Sequence, residues 1–246
     1  MTTLILGGTT EASRLAAAMA ERGLPAILSY AGRTEAPRIQ PVPIRIGGFG
    51  GAGGLADWLR ANRISRIVDA THPFAAQISR NAVTASALTG LPLLVFQRPE
   101  WQPGPGDDWT ETADIAAAAQ ALAGPGRRVF LAIGRQNLAA FARQPQHHYL
   151  LRLVDPPASP PPLPDHHVVI ARGPFDLAGD QALLTRHRID LLVAKNAGGT
   201  GAEAKLIAAR ALRIPVLMIA RPKMPDCPVT SRLEEVLNWC HADLGV

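Results

Sequence analysis

Short apolar runs alternate with longer amphipathic stretches along almost the whole chain. In the first part of the chain the apolar runs predict strands at 3–6, 26–30, 42–46, 66–69 and 93–96. The amphipathic stretches between them predict helices at 10–22, 55–62 and 75–89. The resulting order, β-α-β-β-α-β-α-β, is typical of an open parallel sheet with helices on its faces.

A segment rich in proline and glycine, 98–108, interrupts this alternation and predicts a linker. The pattern then resumes with helices at 114–122, 175–187 and 202–212 and strands at 128–133, 149–154, 168–170, 190–194 and 215–219. Ser231 and Glu234 have the spacing of a capping box and are predicted to open a last helix.

These elements predict an α/β protein of two Rossmann-like domains, each a mostly parallel sheet flanked by helices, with a cleft between them. We expect residues 1–98 to form a cofactor-binding domain and 99–110 a linker. Residues 111–246 are then the second α/β domain, which contributes to the substrate site.

The composition excludes several classes of protein. With 47% apolar and 18% charged residues, the chain can bury a core and is not disordered as a whole. No apolar run approaches the roughly 20 residues that a bilayer requires. Cys227 and Cys240 are too few for a disulfide framework, and the histidine pairs 147–148 and 166–167 lack metal-ligand spacing. The N-terminus lacks the basic region of a signal peptide, so we expect a cytoplasmic protein without a metal.

The formal net charge is +5, and most of the positive charges are arginines. Arginine makes two-pronged contacts with carboxylates and phosphates, so the excess suits an anionic ligand. Because aromatic residues are only 5% of the chain and no dense basic block is present, we do not expect nucleic-acid binding.

A glycine turn joins the first predicted strand to the first predicted helix. Glycines let a phosphate approach the backbone, and the helix N-terminus supplies N–H donors. The candidate cofactor residues here are Gly7, Gly8, Thr9, Thr10 and Glu11. The turn lacks the full G-x-G-x-x-G pattern, and an ordinary turn remains the alternative. The segment 48–53 does match that pattern but follows the third strand, so we interpret it as a flexible loop that lines the site.

The end of the second predicted strand bears on the choice of cofactor. A protein that binds NAD places Asp or Glu there to bind the ribose hydroxyls. This chain has Ser29 and Tyr30 there, with Arg33 within reach, which favours the 2′-phosphate of NADPH. A solvent-facing Arg33 is the alternative interpretation.

Two further groups of polar residues follow predicted strands. Thr71, His72 and Pro73 follow Asp69 at the end of the fourth strand; His72 is a candidate proton donor or ligand-binding residue. Alternatively, Thr71 only caps the next helix and His72 only packs.

In the second half, Arg135, Arg172 and Lys195 each follow a strand and would lie at one sheet edge, where they could bind a polyanion. The alternative is that these three cations are simply solvated.

Four segments together resemble the precorrin-6A reductase family. They are Leu-Ile-Leu-Gly-Gly-Thr-Thr-Glu-Ala-Ser at 4–13, Asp-Ala-Thr-His-Pro-Phe-Ala at 69–75, Gly-Arg at 134–135 and Lys-Asn-Ala-Gly-Gly-Thr-Gly at 195–201. The resemblance covers essentially the whole chain, and the segment at 69–75 is its most specific part.

The resemblance implies NADPH-dependent reduction of one double bond of the precorrin-6A macrocycle, giving precorrin-6B, in cobalamin biosynthesis. It implies that the glycine turn binds the pyrophosphate and that Ser29, Tyr30 and Arg33 meet the 2′-phosphate. Thr71, His72 and Pro73 would lie near the nicotinamide. The resemblance does not identify the proton donor, for which Lys195, His72 and water are the candidates. The residues implied to bind the substrate's carboxylates are Arg135, Arg172, Lys195, Asn196, Gly198, Gly199, Thr200 and Gly201.

Other functions remain open at this point. The chain could be a reductase of another polycarboxylate, or a regulatory protein that binds NADP without turnover. A methyltransferase would also have a glycine-rich first turn, but it would carry an acidic residue at the end of the second strand. The sequence is compatible with a monomer but does not determine the oligomeric state. It also does not distinguish the cobalt-free from the cobalt-containing variant of the pathway.

Overall fold

The computed structural model describes residues 1–32 and 39–242, and these residues form two compact units. The first unit comprises Met1–Pro99 together with the chain from Lys223 onward, and the second comprises Glu100–Pro222. Each unit is an α/β structure with its own sheet and its own buried core.

In chain order the strands are β1 (Thr2–Leu6), β2 (Ala26–Tyr30), β3 (Ile44–Ile46), β4 (Ile64–Asp69), β5 (Leu93–Phe96), β6 (Trp109–Thr112), β7 (Arg128–Ala132), β8 (His148–Leu153), β9 (His166–Ile170), β10 (Leu191–Lys195), β11 (Val216–Ile219) and β12 (Val229–Thr230). The α-helices are α1 (Thr10–Glu21), α2 (Gly51–Ala61), α3 (Ala76–Thr89), α4 (Ile115–Gln120), α5 (Leu177–Arg186), α6 (Ala204–Leu212) and α7 (Leu233–His241). Two 3₁₀ helices span Arg135–Arg143 and Thr200–Ala202.

The first unit contains a six-stranded parallel sheet in the order β12-β5-β4-β1-β2-β3. Alternate residues of β1 point to opposite faces, so Ile5 packs with α1 and α7, whereas Leu4 packs with α2 and α3. Because both faces of β1 are covered, its residues from Thr3 to Leu6 are buried. This arrangement leaves the carboxyl ends of β1, β2 and β4 next to one another.

The second unit repeats the architecture with the strand order β6-β11-β10-β7-β8-β9, again parallel throughout. One of its core clusters includes Phe130 and Leu192 of the central strands, together with Leu206 of α6. The predicted fold, two parallel sheets flanked by helices, is therefore confirmed. The predicted cleft between the domains stays a prediction.

The structure divides the chain differently from the predicted boundaries. The segment from Lys223 onward was predicted to belong to the second domain, but β12 pairs with β5 and α7 packs against the first sheet. The predicted linker, 99–110, instead belongs largely to the second unit, where β6 pairs with β11. The pattern of apolar runs therefore did not predict the two short edge strands β6 and β12.

Arg66 of β4 contributes to the return of the C-terminal helix to the first unit. The side chain is buried, and its guanidinium donates to the carbonyls of Trp239 and Cys240, at 2.5 and 2.7 Å, and of Ala242 at 3.1 Å. These carbonyls lie at the C-terminus of α7, where no intrahelical donor is available and a cation is favoured.

Two local predictions near helix N-termini were wrong. Residues 51–53 are not a flexible loop but the first turn of α2, and Gly54 fits there because a Cβ would lie 1.9 Å from the Phe49 carbonyl oxygen. The predicted capping box is absent, since α7 has Arg232 as its N-cap and no side-chain cap. Thr230 accepts from the Arg232 N–H instead, at 3.1 Å.

No helix in the described part of the chain has the length and apolar character that crossing a bilayer requires. Within 1–32 and 39–242, no cluster of three or more His, Cys, Asp or Glu side chains is arranged to hold a metal ion.

Candidate functional site

The glycine turn lies at the carboxyl end of β1, in the middle of the first sheet. The Gly7 N–H donates to the Ser29 carbonyl at 2.9 Å, and a Cβ at Gly7 would lie 2.6 Å from the Leu28 side chain. Gly8 has a φ of +113°, and a Cβ there would have no atom within 4 Å. The turn therefore packs tightly against β2 on one side and leaves an open cradle at Gly8.

Thr9 connects this turn to the next strand of the sheet. As the N-cap of α1, it accepts from the Ala12 N–H at 3.1 Å, and its hydroxyl donates to the Ala70 carbonyl at 2.7 Å. Thr10 is the exposed first residue of α1, where backbone N–H groups have no intrahelical partner. The turn thus presents donors and the positive end of a helix dipole to a ligand.

Glu11, predicted to bind the cofactor, forms an ion pair with Arg98 at 2.6 Å. Both side chains are 19% exposed, so the pair is largely shielded from water. Pairing offsets the charge of a carboxylate that would otherwise repel an anion at the same helix end. The geometry therefore gives Glu11 a role in the packing and charge balance of the turn.

Ser29 and Tyr30 end β2, next to the glycine turn. Ser29 is buried, and its hydroxyl accepts a hydrogen bond from Arg45 of β3 at 3.4 Å. Tyr30 is partly buried against the core on the α1 side of the sheet. Arg33 lies outside the described residues, so its predicted contact with the 2′-phosphate stays a prediction.

The segment 69–75 extends from β4, immediately beside the glycine turn. Buried Asp69 accepts from the Thr71 N–H at 3.0 Å and from the Thr71 hydroxyl at 2.7 Å. The Thr71 and Ser79 hydroxyl oxygens are 3.3 Å apart. Thr71 does not cap α3, which begins later, at Ala76, and has no side-chain cap.

His72 has a defined orientation in this segment. Its Nδ1 accepts from the Phe74 N–H at 3.2 Å, so the neutral ring carries its proton on Nε2. Pro73 is buried in the turn before α3. The structure therefore brings Thr71, His72 and Pro73 together with the glycine turn at one sheet edge.

Lys195 ends β10 at the carboxyl edge of the second sheet, and the loop 196–199 follows it. Asn196, predicted to bind substrate, is buried; its Oδ1 accepts from the Trp101 N–H at 2.9 Å and its Nδ2 donates to the Trp101 carbonyl at 3.1 Å. The Trp101 indole N–H donates to the Gly199 carbonyl at 2.9 Å. Asn196 therefore holds the loop in place.

The consecutive Gly198 and Gly199 have φ values of +69° and +74°, a backbone conformation that residues with a Cβ rarely adopt. The glycines thus set the course of the loop toward Thr200 and Gly201, which are exposed.

Arg221 lies at this edge of the sheet but was not among the predicted site residues. It follows β11, and its guanidinium donates to the Asn196 carbonyl at 2.9 Å and to the Ala197 carbonyl at 3.2 Å. It also lies 3.5 Å from the Glu100 carboxylate. Its position in the sequence could have indicated it, because Arg221 follows the end of an apolar strand by two residues, as Arg172 does.

Arg135 and Arg172 lie at the same edge of the second sheet as Lys195, as expected from their strand-end positions. Arg135 is exposed and begins a 3₁₀ helix after β7, the neighbour of β10. Arg172 follows β9, at the far end of the sheet, and lies 3.5 Å from Asp155. The three cations therefore share an edge, although Arg172 is separated from Lys195 by two intervening strands.

Cys227 lies near the Asp69 carboxylate in the first unit. Burial raises the pKa of its thiol, and the negative charges of Asp69 and Asp226 raise it further. A raised pKa reduces the thiolate fraction of Cys227 and makes it a weaker nucleophile.

Comparison with known proteins gives a consistent result over nearly the whole chain. The family model described as "Precorrin-6x reductase CbiJ/CobK" matches residues 2–241. A precorrin-6A reductase of Rhodobacter capsulatus is 58% identical over 98% of this chain and 96% of that protein. A precorrin-6A reductase of Rhodococcus erythropolis is 53% identical over 95% of this chain and 93% of that protein.

A solved structure described as "CobK precorrin-6A reductase" superposes with a TM-score of 0.93. It is 57% identical to this chain, covering 97% of this chain and 95% of its own. The resemblance found in the four sequence segments is thereby confirmed: the chain belongs to the precorrin-6x reductase CbiJ/CobK family.

Proposed function

We propose that this protein catalyses the NADPH-dependent reduction of precorrin-6A to precorrin-6B, a step of cobalamin biosynthesis. The observation that carries the proposal is the 58% identity to the Rhodobacter capsulatus precorrin-6A reductase over 98% of the chain. The site residues of both units support it, because they provide a dinucleotide turn on one sheet and a cationic edge on the other.

The residues of the first unit fit a dinucleotide. The open cradle at Gly8 and the N-terminus of α1 offer backbone donors to a pyrophosphate. Ser29 would meet the adenosine end, and Thr71 and His72 would border the nicotinamide end. When bound, NADPH supplies the hydride of the reaction.

In the second unit, the cations Arg135, Arg172 and Lys195 would bind the acetate and propionate carboxylates of the macrocycle. Two-pronged contacts from arginine suit carboxylates, whereas the lysine acts as a point charge. Trp101 and Arg221 hold the loop after Lys195 in place. Gly198 is buried within this loop, whereas Gly199, Thr200 and Gly201 would present a defined backbone surface to the substrate.

The reduction also requires one proton, for which Lys195 and His72 are the candidates. Because Nδ1 of His72 accepts from the backbone, Nε2 is the atom through which a protonated ring would donate. Lys195 would donate from the ammonium group of its side chain, at the end of β10. Positioning either group near the acceptor carbon would be its main contribution.

The test is a titration of the purified protein with NADPH and NADH, followed by single-turnover reduction of precorrin-6A without oxygen. We expect tight NADPH binding, much weaker NADH binding and stoichiometric consumption of NADPH. Binding of neither nucleotide, or NADPH binding without reduction of the macrocycle, would contradict the proposed activity.

Two glycine variants make this test specific. Gly8→Val fills the cradle at the turn and should abolish NADPH binding. Gly124→Val is the matched control, because Gly124 also has a positive φ, +130°, and open space around its missing Cβ, but lies in a loop of the second unit. Equal loss of NADPH binding in both variants would indicate a loss of folding.

A further inference from the structure

Arg45 lies one strand beyond the residues that the sequence assigns to the adenosine end of the cofactor. In the parallel pairing of β2 with β3, Ser29 is directly opposite Arg45. Residues paired in this way point to the same face of a sheet, which places the guanidinium beside the Ser29 hydroxyl. A hydrogen-bonded line therefore runs across the sheet edge, from Gly7 through Ser29 to Arg45.

The guanidinium of Arg45 is held in one orientation. Its Nη1 donates to the Gly47 carbonyl at 2.5 Å and to the Ser29 hydroxyl at 3.4 Å, and its Nη2 donates to the Gly48 carbonyl at 2.7 Å. The guanidinium carbon lies 3.7 Å from the centroid of the Phe49 ring, which covers one face of the group. Such a fixed group loses little conformational entropy when it binds a ligand.

The remaining donors of Arg45 form a fork. The three bonds above come from Nη1 and Nη2, and none of them comes from Nε. In a guanidinium the Nε–H and one Nη2–H share an edge, and this edge can bind two oxygens of a phosphate. Ser29 accepts from Arg45, so its own hydroxyl proton is also available at this edge.

No negative charge balances Arg45 among the residues that the structure describes. Its hydrogen-bond acceptors are two backbone carbonyls and a hydroxyl, and no described carboxylate lies within 4 Å. Arg45 is partly buried, so the cation has lost part of its hydration, and this burial lowers its pKa. A bound dianion would compensate for that loss.

From this geometry we propose that Arg45, together with Ser29, binds the 2′-phosphate of NADPH and sets the preference for NADPH over NADH. The assignment rests on the proposed use of NADPH and adds a residue that the pattern at the end of β2 did not indicate. Arg45 reaches the phosphate from β3, with its orientation fixed by the carbonyls of Gly47 and Gly48.

The experiment compares dissociation constants for NADPH and NADH in the wild-type protein and in Arg45→Gln. We expect Arg45→Gln to weaken NADPH binding by roughly 10- to 100-fold, the range for losing a charged two-pronged contact, while NADH binding changes less than about threefold. Arg45→Lys keeps the charge without the two-pronged geometry, so its dissociation constant for NADPH should lie between those of the wild type and Arg45→Gln. Competition with 2′-AMP and 5′-AMP gives the same comparison without the nicotinamide.

Arg60→Gln is the matched control, since Arg60 is also an arginine of this unit bonded to a backbone carbonyl, but lies at the C-terminal end of α2. It should leave both constants unchanged. Equal weakening of NADPH and NADH in Arg45→Gln, or no weakening of either, would overturn the assignment. A wild-type protein that does not prefer NADPH would instead contradict the proposed cofactor itself.

Discussion

The hydroxyl of Thr9 donates to the carbonyl of Ala70 at 2.7 Å while it accepts from the first turn of α1. One side chain therefore fixes the glycine turn after β1 and the segment after β4 relative to each other. Through this contact, the pyrophosphate and nicotinamide ends of the proposed cofactor site share one rigid support.

Thr9→Val tests this support. The substitution keeps the side-chain shape but removes both hydrogen bonds, so we expect a loss of about 1 to 2 kcal/mol in the free energy of unfolding. NADPH binding should weaken as well, because the turn and the 69–75 segment lose their common anchor. Thr9→Ser retains the hydroxyl and should match the wild type in both urea unfolding and NADPH titration.

Asn196 provides a second test, in the other unit. Asn196→Ala removes both bonds to the Trp101 backbone, and we expect a loss of about 2 to 3 kcal/mol in stability, since a buried donor and acceptor are left unpaired. The loop after Lys195 should loosen, which raises the KM for precorrin-6A and leaves the dissociation constant for NADPH unchanged.

Trp101→Phe is the companion variant for that loop. It removes the indole bond to the Gly199 carbonyl and replaces the indole with a smaller ring, but keeps the backbone contacts with Asn196. The KM for precorrin-6A should therefore rise less than in Asn196→Ala. A wild-type KM in both variants would show that substrate binding does not depend on this loop.

The alternation of apolar runs and amphipathic stretches was sufficient to predict both sheets, because strands buried on both faces are apolar throughout. It failed for β12, which has two residues, and for β6, whose sequence Trp-Thr-Glu-Thr has little apolar character. Edge strands of this kind depend on their neighbours, and local sequence does not reveal them.

The site was predictable where function sits in contiguous segments, such as the glycine turn and the residues 69–75. It was less predictable where one residue acts on another that is distant in sequence. Asn196 contacts Trp101, 95 residues away, and therefore looked like a free polar group of a glycine loop. Arg45 looked unremarkable for the same reason, since only the β2–β3 pairing brings it to Ser29.

The two candidate proton donors can be separated kinetically. If Lys195 donates the proton, Lys195→Met should lower kcat by roughly 100- to 10,000-fold, the usual range for a general acid, and His72→Asn should affect mainly NADPH binding. The opposite pattern would assign the role to His72. Retention of kcat within about threefold in both variants would mean that water supplies the proton.

Stability at mildly acidic pH should depend on His187 at the end of α5. Burial lowers the pKa of His187, and the neighbouring charges of His167, Arg186, Arg128 and His148 lower it further. The unfolded chain therefore binds a proton more readily than the folded protein, near the ordinary histidine pKa of about 6.5.

The stability that depends on a neutral His187 is therefore fully present above about pH 6.5 and decreases as the pH falls below that value. His187→Gln should reduce this decrease between pH 6.5 and 5 in thermal unfolding, and should leave the midpoint at pH 8 nearly unchanged. An unaltered pH dependence in the variant would show that other groups cause the acid loss.

Arg66 should be among the most sensitive positions of the first unit, because one buried guanidinium satisfies three carbonyls at the end of α7. Arg66→Met fills similar space but leaves these carbonyls without donors, so we expect a loss of about 3 kcal/mol in the free energy of unfolding. Arg66→Lys keeps a cation with less reach and should be intermediate.

Arg232→Met is the control for that loss, since Arg232 lies at the other end of α7 in an exposed ion pair with Glu235, a contact worth less than about 1 kcal/mol. Limited proteolysis adds a local measurement: in Arg66→Met, cleavage should begin within 233–241 before the rest of the unit unfolds. Stability equal to the wild type in Arg66→Met would mean that apolar packing against α1, rather than the guanidinium, returns the last helix to the first sheet.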